Sequence, residues 1–588
     1  MCGIIGYVGK SKALPIVLSS LKFLEYRGYD SAGVGYVKGN EIIVKKQIGK
    51  IKCLEEIIDY NEETYMGIGH TRWATHGIPS ITNSHPHSLG KFTVVHNGII
   101  ENYHELKNRL QNLGYNFISD TDTEVIPGLL DYYYKEEKDI LKSIQKCMND
   151  LEGSYALGII CQDDLQNIYA VRHNSPLIVA TSDNGNFIAS DVPAILSYTN
   201  RYLLLDEYEI AKLSTDNINV FNEELEEIQK EILTFTESID KVMLNGYEHY
   251  MLKEINEEDK VFLDTLNYYV EDDKFKDTMP NLDEFKKIHI VACGSAYYVG
   301  CIGKTLIEKY ANIPVTAEVA SEYRYQHNFY DKNTLVIIIS QSGETADTLA
   351  ALRKVKEKGI KTLAIVNVVG SSIAREADYV LYTKAGLEIA VATTKAFLAQ
   401  TTLMSLIAVK LSKNYELLKE FNGLEKYIKE VIRKDYKKYA NMIYEHNDAF
   451  YIGRLVDYAL CLEGSLKLKE ISYINSVAFQ AGELKHGTIS LIKENTPVIS
   501  ICTDDFIKSK TVSNIKEVKA RGANVIFITN SDEANEFYDE KILLPHLHDI
   551  VMPIITVIPL QLISYEVAKL RGSDIDKPRN LAKSVTVE

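Results

Sequence analysis

The second half of this chain contains the same sequence unit twice, so it must fold as two copies of one supersecondary structure. Residues 352–367 read LRKVKEKGIKTLAIVN and residues 515–530 read IKEVKARGANVIFITN, at an offset of 163. Each spells a helix, a glycine that ends it (Gly359, Gly522) and a buried strand finishing in Asn. Upstream, NTLVIIIS at Asn333–Ser340 matches NTPVISIC at Asn495–Cys502 at an offset of 162. Further back, HIVACG at His289–Gly294 has a counterpart in FYIGR at Phe450–Arg454. From about Tyr247 strands alternate with helices, which predicts parallel sheets covered by helices, the two copies meeting near residues 425–440.

The copies diverge at one informative place. After the third matched strand, the first continues Gln341-Ser342-Gly343-Glu344-Thr345 and the second Thr503-Asp504-Asp505-Phe506. Hydroxyls and a glycine at a helix start favour an anion, whereas two carboxylates repel one. The segment Ser340–Thr345 therefore reads as a phosphate loop, with free N–H groups on a helix that begins around Ser342. No Walker-type Lys follows, which points to a sugar monophosphate rather than a nucleotide with Mg²⁺. The plainer alternative is that Ser342 only caps the helix.

The first 235 residues or so carry a different pattern. Ile4–Val8, Ala32–Val37, Glu41–Lys46, Phe92–His96, Tyr155–Cys161 and Leu177–Thr181 read as strands, and Leu14–Tyr26 and Tyr103–Leu113 as helices. The acidic run Glu223–Glu231 reads as a solvated helix face. The polar stretch 236–246 reads as a linker.

Composition excludes several roles. The net charge of −16 argues against a polyanion-binding surface, so no nucleic acid and no anionic membrane is expected as a partner. The eight cysteines form no CxxC pair, which fits reduced thiols and a cytoplasmic location. No signal-peptide pattern opens the chain. The apolar stretch from Ile550 to Ile563 is interrupted by Pro553, Pro559 and Gln561 and falls short of the roughly 18 residues of a spanning helix, so none is expected.

Cys2 is the second chemical candidate. Removal of Met1 would give it a free α-amine with a pKa near ~8, a base able to activate its own thiol. Its surroundings in sequence are Tyr26-Arg27-Gly28-Tyr29-Asp30-Ser31, then His70-Thr71-Arg72-Trp73-Ala74-Thr75-His76-Gly77, then His96-Asn97-Gly98-Ile99-Ile100-Glu101-Asn102, then Ser119-Asp120-Thr121-Asp122-Thr123-Glu124. Together with Cys2 these motifs resemble the glutaminase domain of class II (N-terminal nucleophile) amidotransferases over roughly residues 2–235. The resemblance implies that Cys2 attacks the glutamine amide to form a thioester and release ammonia. It implies that the Asn97 side chain and the Gly98 N–H form the oxyanion hole. Arg72 would clamp the glutamine carboxylate, Asp122 would pair with its ammonium, Arg27 would hold the Cys2 loop and His76 would shape the pocket. The competing reading is metal binding by His70, His76, His85, His87 and His96, but no Cys or carboxylate falls at a standard zinc spacing.

The duplicated half resembles the sugar-isomerase (SIS) domain pair. Its motifs are Cys293-Gly294-Ser295, Ala320-Ser321-Glu322, the Ser340–Thr345 loop, Val391-Ala392-Thr393-Thr394-Lys395, EGSLKLKE at Glu463–Glu470, Gly482–Gly487 and the tail from Asp576 to Glu588. Taken alone, Glu463, Lys467 and Glu470 at i, i+4 and i+7 read as a solvated salt-bridge ladder. The resemblance instead makes Glu470 the base that moves a proton between C1 and C2 of the sugar, with Lys467 assisting. His486, from a neighbouring subunit, would help ring opening, and Lys583 would form a Schiff base with the open ketose. Ser295, Ser340, Gln341, Ser342, Thr345, Val391 and Ala582 would bind the sugar phosphate, and Trp73 would gate an ammonia channel.

The implied fold is α/β: an N-terminal Ntn-hydrolase αββα sandwich followed by two doubly wound parallel-sheet SIS domains. The expected boundaries are 2–235 (glutaminase), 236–246 (linker), 247–430 and 431–575 (the two SIS domains) and 576–588 (tail). The implied partners are L-glutamine and fructose 6-phosphate in a homodimer, with no cofactor and no metal. Departures from the family pattern are visible: Ala296 stands where the family often has a hydroxyl, Thr488 where it often has Pro, and Leu387 and Ala390 differ mildly beside the Val391 loop. They leave open a sibling enzyme acting on another ketose phosphate. A sugar-phosphate sensor without turnover is the non-enzymatic alternative, against which Cys2, Glu470, His486 and Lys583 together speak.

Overall fold

The computed structural model describes residues 2–74, 76–235, 244–532 and 537–586 of the chain. It forms two compact units, Met1–Met243 with Ala582–Glu588, and Leu244–Leu581. Of the expected linker 236–246, residues 236–243 lie outside the described residues.

The first unit contains two antiparallel sheets. The eight-stranded sheet has Gly3–Gly9 near its middle, between Gly185–Ala189 and Met66–Arg72. The seven-stranded sheet has Phe92–Ile100 paired with Gly153–Cys161 on one side and with the short His87–Leu89 on the other. Alternation turns Ile4, Val8 and Ile68 of one sheet against Val95, Ala156 and Ile160 of the other, which closes the sandwich. Helix Ala13–Lys22 covers one outer face through Leu14, Val17, Leu18 and Leu21. Helices Tyr103–Asn112, Val125–Glu137 and Ile140–Asp150 cover the other. The result is an αββα sandwich.

The second unit contains two five-stranded parallel sheets of the same order, 2-1-3-4-5. In the first copy the central pair is Lys287–Ala292 and Thr334–Ser340; in the second it is Asp448–Gly453 and Pro497–Cys502. One continuous apolar core, from Met251 to Ile575, serves both copies. In an open parallel sheet of this order, the crevice for a ligand lies at the C-terminal ends of the first and third strands. In the first copy those ends lead into Cys293–Ser295 and Gln341–Thr345.

The second copy fills the equivalent crevice with its own carboxylate. Asp457, at the start of helix Val456–Ser472, accepts hydrogen bonds from the Thr503 N–H (2.8 Å) and hydroxyl (2.5 Å). Burial pushes Asp457 up to about 6, against the opposing pull of Thr503. A carboxyl whose pKa is higher folded than unfolded binds extra proton in the folded state, so stability falls as pH rises from about 4 to about 6. Asp457→Asn is expected to abolish this pH-dependent loss, roughly 3 kcal/mol between the two limits, as read by denaturant titrations across this pH range.

Three sequence expectations are corrected. The acidic run 223–231 is not a helix: the Asn222 side chain accepts from the Glu224 and Glu226 amides and turns the chain into a hairpin between Ile218–Phe221 and Glu227–Ile228. The C-terminal apolar stretch is not interrupted. Met552–Leu570 is one 19-residue helix, long and apolar enough to cross a membrane by length and composition, yet 83% of its apolar window is buried inside the protein. Pro553 fits because it lies in the first turn, where its missing N–H costs nothing, and packing outweighs the penalty of Pro559. Finally, the helix after the phosphate loop starts at Ala346, not around Ser342.

Candidate active site

In the first unit, strand register brings the nucleophile candidate to its neighbours. Gly3 pairs with Thr71, so Cys2 lies beside Arg72 and Trp73. The Trp73 N–H donates to Cys2 Sγ at 3.3 Å. The Cys2 carbonyl accepts from Asn97 Nδ2 at 2.9 Å and from Arg27 Nε at 3.4 Å. Burial raises the thiol above its usual value, and the Trp73 amide and Arg72 pull it back. A protonated thiol at neutral pH needs a base.

The glutamine-binding candidates gather around it. Arg72 is buried; its Nη2 donates to the carbonyls of His76 and of Gly77 (3.0 Å), while its Nη1 has no partner among the described residues. The Asp122 carboxylate accepts from the Ile100 N–H at 2.8 Å. His76 sets its ring edge-on to Tyr103. Gly98 has φ +130°, and a Cβ there would lie 1.9 Å from the Ser154 carbonyl, so no other residue fits. Arg27 reaches Cys2 because Asp191 and Tyr26 hold it: its guanidinium pairs with Asp191, which also accepts from the Tyr26 hydroxyl. Asp191 lies far from any motif, and nothing in the sequence near it signals the role.

Four of the five histidines of the alternative metal reading, His70, His85, His87 and His96, are buried among hydrogen-bond partners. His70 Nε2 donates to the His96 carbonyl (2.9 Å), His96 Nδ1 meets Thr123 Oγ1 (2.9 Å) and His87 Nε2 meets Thr121 Oγ1 (3.2 Å). Burial lowers His70 to about 3 and holds His85 and His87 well below the usual range.

In the second unit, the expected solvated ladder is a buried cluster. Glu463 and Lys467 are fully buried, while Glu470 retains 20% side-chain exposure. Lys467 Nζ lies 2.6 Å from Glu470 and 3.6 Å from Glu463. Burial lifts Glu463 to about 7, with Lys467 opposing and Glu470 adding to the rise. Burial lowers Lys467, but the two carboxylates outweigh it and hold the ammonium above its usual range. Ser295, from the crevice of the first copy, donates to Glu463 at 3.1 Å. The site is thus assembled from both copies. Tyr298, one turn after Ser295, faces the same cluster: burial and then Glu463 and Glu470 push its hydroxyl up to about 12. Its i+3 spacing from Ser295 was the signal available in sequence. Ala296 packs on the apolar core.

The phosphate loop is a turn rather than a helix end. Gly343 has φ +66°, and a Cβ there would meet Ser371 Oγ at 2.0 Å. Ser340 Oγ accepts from the Gly343 amide (3.1 Å) and touches Thr345 Oγ1 (3.0 Å); Ser342 Oγ accepts from the Glu344 amide (3.2 Å). Two amides expected to be free are therefore taken by hydroxyls, which delays the helix. The Gln341 carbonyl is tied to the Asn367 amide. The buried Val391 donates its N–H to the Asp576 carbonyl at 3.0 Å. Glu388, absent from the sequence reading, accepts from the Thr394 and Ala396 amides (3.0 Å each) and fixes the start of helix Lys395–Ser412.

Three expected site residues remain to be placed. His486 is exposed on the turn Leu484–His486 and has no hydrogen bond to Glu463, Lys467 or Glu470. Ala582 and Lys583 are half-buried in the tail that groups with the first unit.

Known proteins bear on this pair of sites. Residues 70–197 match the glutamine amidotransferase domain model, and residues 281–410 and 442–571 each match the SIS domain model. A Clostridium tetani protein named glutamine–fructose-6-phosphate aminotransferase (isomerizing) is 48% identical, and an Aquifex aeolicus protein of the same name is 44% identical, each over 100% of both chains. Among solved structures, the C-terminal domain of glucosamine-fructose-6-phosphate aminotransferase from Francisella tularensis is 36% identical, with TM-score 0.54, over 57% of this chain and 99% of that one. With a Cys2 site in an amidotransferase sandwich and a buried Glu–Lys–Glu cluster in a SIS pair, full-length identity of this order places the chain in the glutamine–fructose-6-phosphate aminotransferase (isomerizing) family.

Proposed function

We propose that the chain takes nitrogen from L-glutamine and delivers it to fructose 6-phosphate, giving glucosamine 6-phosphate and glutamate, the entry step to hexosamines. The observation that carries the glutamine half is the convergence on Cys2 of Asn97, Arg27 and the Trp73 amide, beside a buried Arg72 with one guanidinium nitrogen unpartnered among the described residues. With Met1 removed, the Cys2 α-amine takes the thiol proton. The thiolate attacks the amide carbon, the oxyanion is received by Asn97 and Gly98, the α-ammonium returns its proton to the nitrogen as the C–N bond breaks and ammonia leaves, and water hydrolyses the remaining thioester to glutamate. Arg72 binds the substrate carboxylate as a planar fork, and Asp122 its ammonium.

At the SIS pair, Ser340, Gln341, Ser342 and Thr345 hold the phosphate, with Ser295, Val391 and Ala582 on the sugar. Lys583 forms a Schiff base with the open ketose, His486 assists ring opening, and Glu470, beside Lys467, moves the proton between C1 and C2. Ammonia reaches this site through a channel gated by Trp73, because free ammonia is largely protonated in neutral water and lost. The direct test is product analysis with amide-¹⁵N glutamine and fructose 6-phosphate. Labelled glucosamine 6-phosphate supports the reading; label found only in free ammonium, or in another amino sugar from a ketose phosphate panel, overturns it.

The working form is a cytoplasmic homodimer. The eight free cysteines support a reducing location. The exposed His486, without a bond to the buried cluster, supports its donation to a second copy. Mixing inactive Glu470→Gln and His486→Asn proteins is then expected to restore up to about a quarter of the activity through hybrid dimers with one intact site. No recovery after subunit exchange would place His486 in its own subunit's site.

A further inference from the structure

The histidine cluster of the first unit lies directly behind the oxyanion hole. The strand Phe92–Ile100 loses its neighbour part-way, because His87 pairs with Val94 and the partner strand goes no further. Beyond that point, side chains take over the outward backbone groups. The His96 N–H donates to His85 Nδ1 at 3.3 Å, and the Ile100 N–H donates to Asp122 at 2.8 Å. Gly98 lies midway between these two anchors. The His96 carbonyl, one half of the His96–Asn97 peptide, accepts from His70 Nε2 at 2.9 Å.

The bonds fix every tautomer in the chain. His85 Nδ1 accepts, so its Nε2–H points to Thr123 Oγ1 at 3.4 Å. His96 Nε2 meets the Ser154 carbonyl at 3.5 Å and must donate, so His96 Nδ1 accepts from the Thr123 hydroxyl at 2.9 Å. Thr123 thus receives from His85 and gives to His96, and it adjoins Asp122. His70, His85, His96 and Thr123 are all at least 95% buried. Burial keeps the three imidazoles neutral, as the paired donor and acceptor roles of His85 and His96 require.

We propose that His85, His70 and Thr123 are positioning residues for glutamine hydrolysis: they clamp the His96 peptide and tie it to the Asp122 loop, holding Asn97 and the Gly98 amide where the oxyanion develops. The proposal rests on the assignment of Asn97 and Gly98 to the oxyanion hole. Displacing donors by a fraction of an ångström weakens transition-state stabilisation while substrate binding by Arg72 and Asp122 persists.

The test uses the full-length protein, with glutamate release from glutamine and the rate of Cys2 alkylation by iodoacetamide as paired readouts. Alkylation needs the thiolate but develops no oxyanion. His85→Asn keeps an acceptor near the Nδ1 position, whereas His85→Gln and His85→Ala do not. Thr123→Ser keeps the hydroxyl and Thr123→Val removes it. Expected are kcat losses of about 10- to 100-fold for His85→Gln, His85→Ala and Thr123→Val, with KM and alkylation within about threefold of the parent, and near-parent kcat for His85→Asn and Thr123→Ser. Equal losses in conservative and disruptive variants, or parallel losses of alkylation, would show mere packing and overturn the proposal; so would an unchanged kcat in His85→Ala and Thr123→Val. Asn97→Ala separates the levels: if it hydrolyses glutamine normally, the oxyanion-hole assignment itself is wrong.

Discussion

Cys2→Ala is expected to reduce glutamine hydrolysis and glutamine-dependent amination about 10⁴-fold or more, to background. The size follows from the chemistry: the thioester cannot form without sulfur. Cys2→Ser keeps the shape but offers a far weaker nucleophile to the same base, so its activity should also be close to background. The accompanying pH dependence has a definite sign. Burial raises the thiol above its usual value, and the Trp73 amide and Arg72 only partly offset this. The reactive thiolate is therefore scarce at neutral pH, and alkylation of Cys2 should accelerate as pH rises from about 7 to 9. A Cys2→Ala protein that still releases glutamate at more than one-hundredth of the parent rate would remove Cys2 from the mechanism.

How much of this was legible in the sequence depends on whether the signal is local. The repeat was legible because a helix, a glycine stop and a buried strand recur at fixed spacing, and both parallel sheets follow from it. The strands of the first unit were legible from alternation, with ends that shift by a few residues; the strand predicted at 92–96 runs on to Ile100 because residues 97–100 pair with Gly153–Ala156, and Asp122 takes the outward Ile100 amide. What failed were competitions between local and tertiary forces. Pro559 looked like a helix breaker, yet a helix buried over most of its length tolerates it. Glu463, Lys467 and Glu470 have the spacing of a surface ladder, and only packing shows that two of them are enclosed. The histidine relay joins residues 27 and 38 apart in sequence, so no spacing rule finds it.

That buried cluster sets up the second large effect. Glu470→Gln is expected to lower sugar isomerisation and amination by about 10²- to 10⁴-fold, the usual range for losing a general base, while glutamate release from glutamine continues. Among the three side chains, only Glu470 combines exposure to an incoming sugar with a full ionic partner: 20% of its side chain is open and Lys467 lies 2.6 Å away. Glu463 is enclosed, bound to Ser295, and lifted by burial to about 7, well above the usual carboxylate range. Glu463→Gln should therefore cost less, because it replaces a partly neutral group by a neutral one that can still accept from Ser295. Gln at 470 preserves length and an acceptor for Lys467, which separates lost proton transfer from lost packing. The distinction is measurable as exchange of the sugar C1 and C2 protons with deuterated solvent. Exchange should collapse in Glu470→Gln and persist in Glu463→Gln, and the reverse order would assign the base to the enclosed carboxyl.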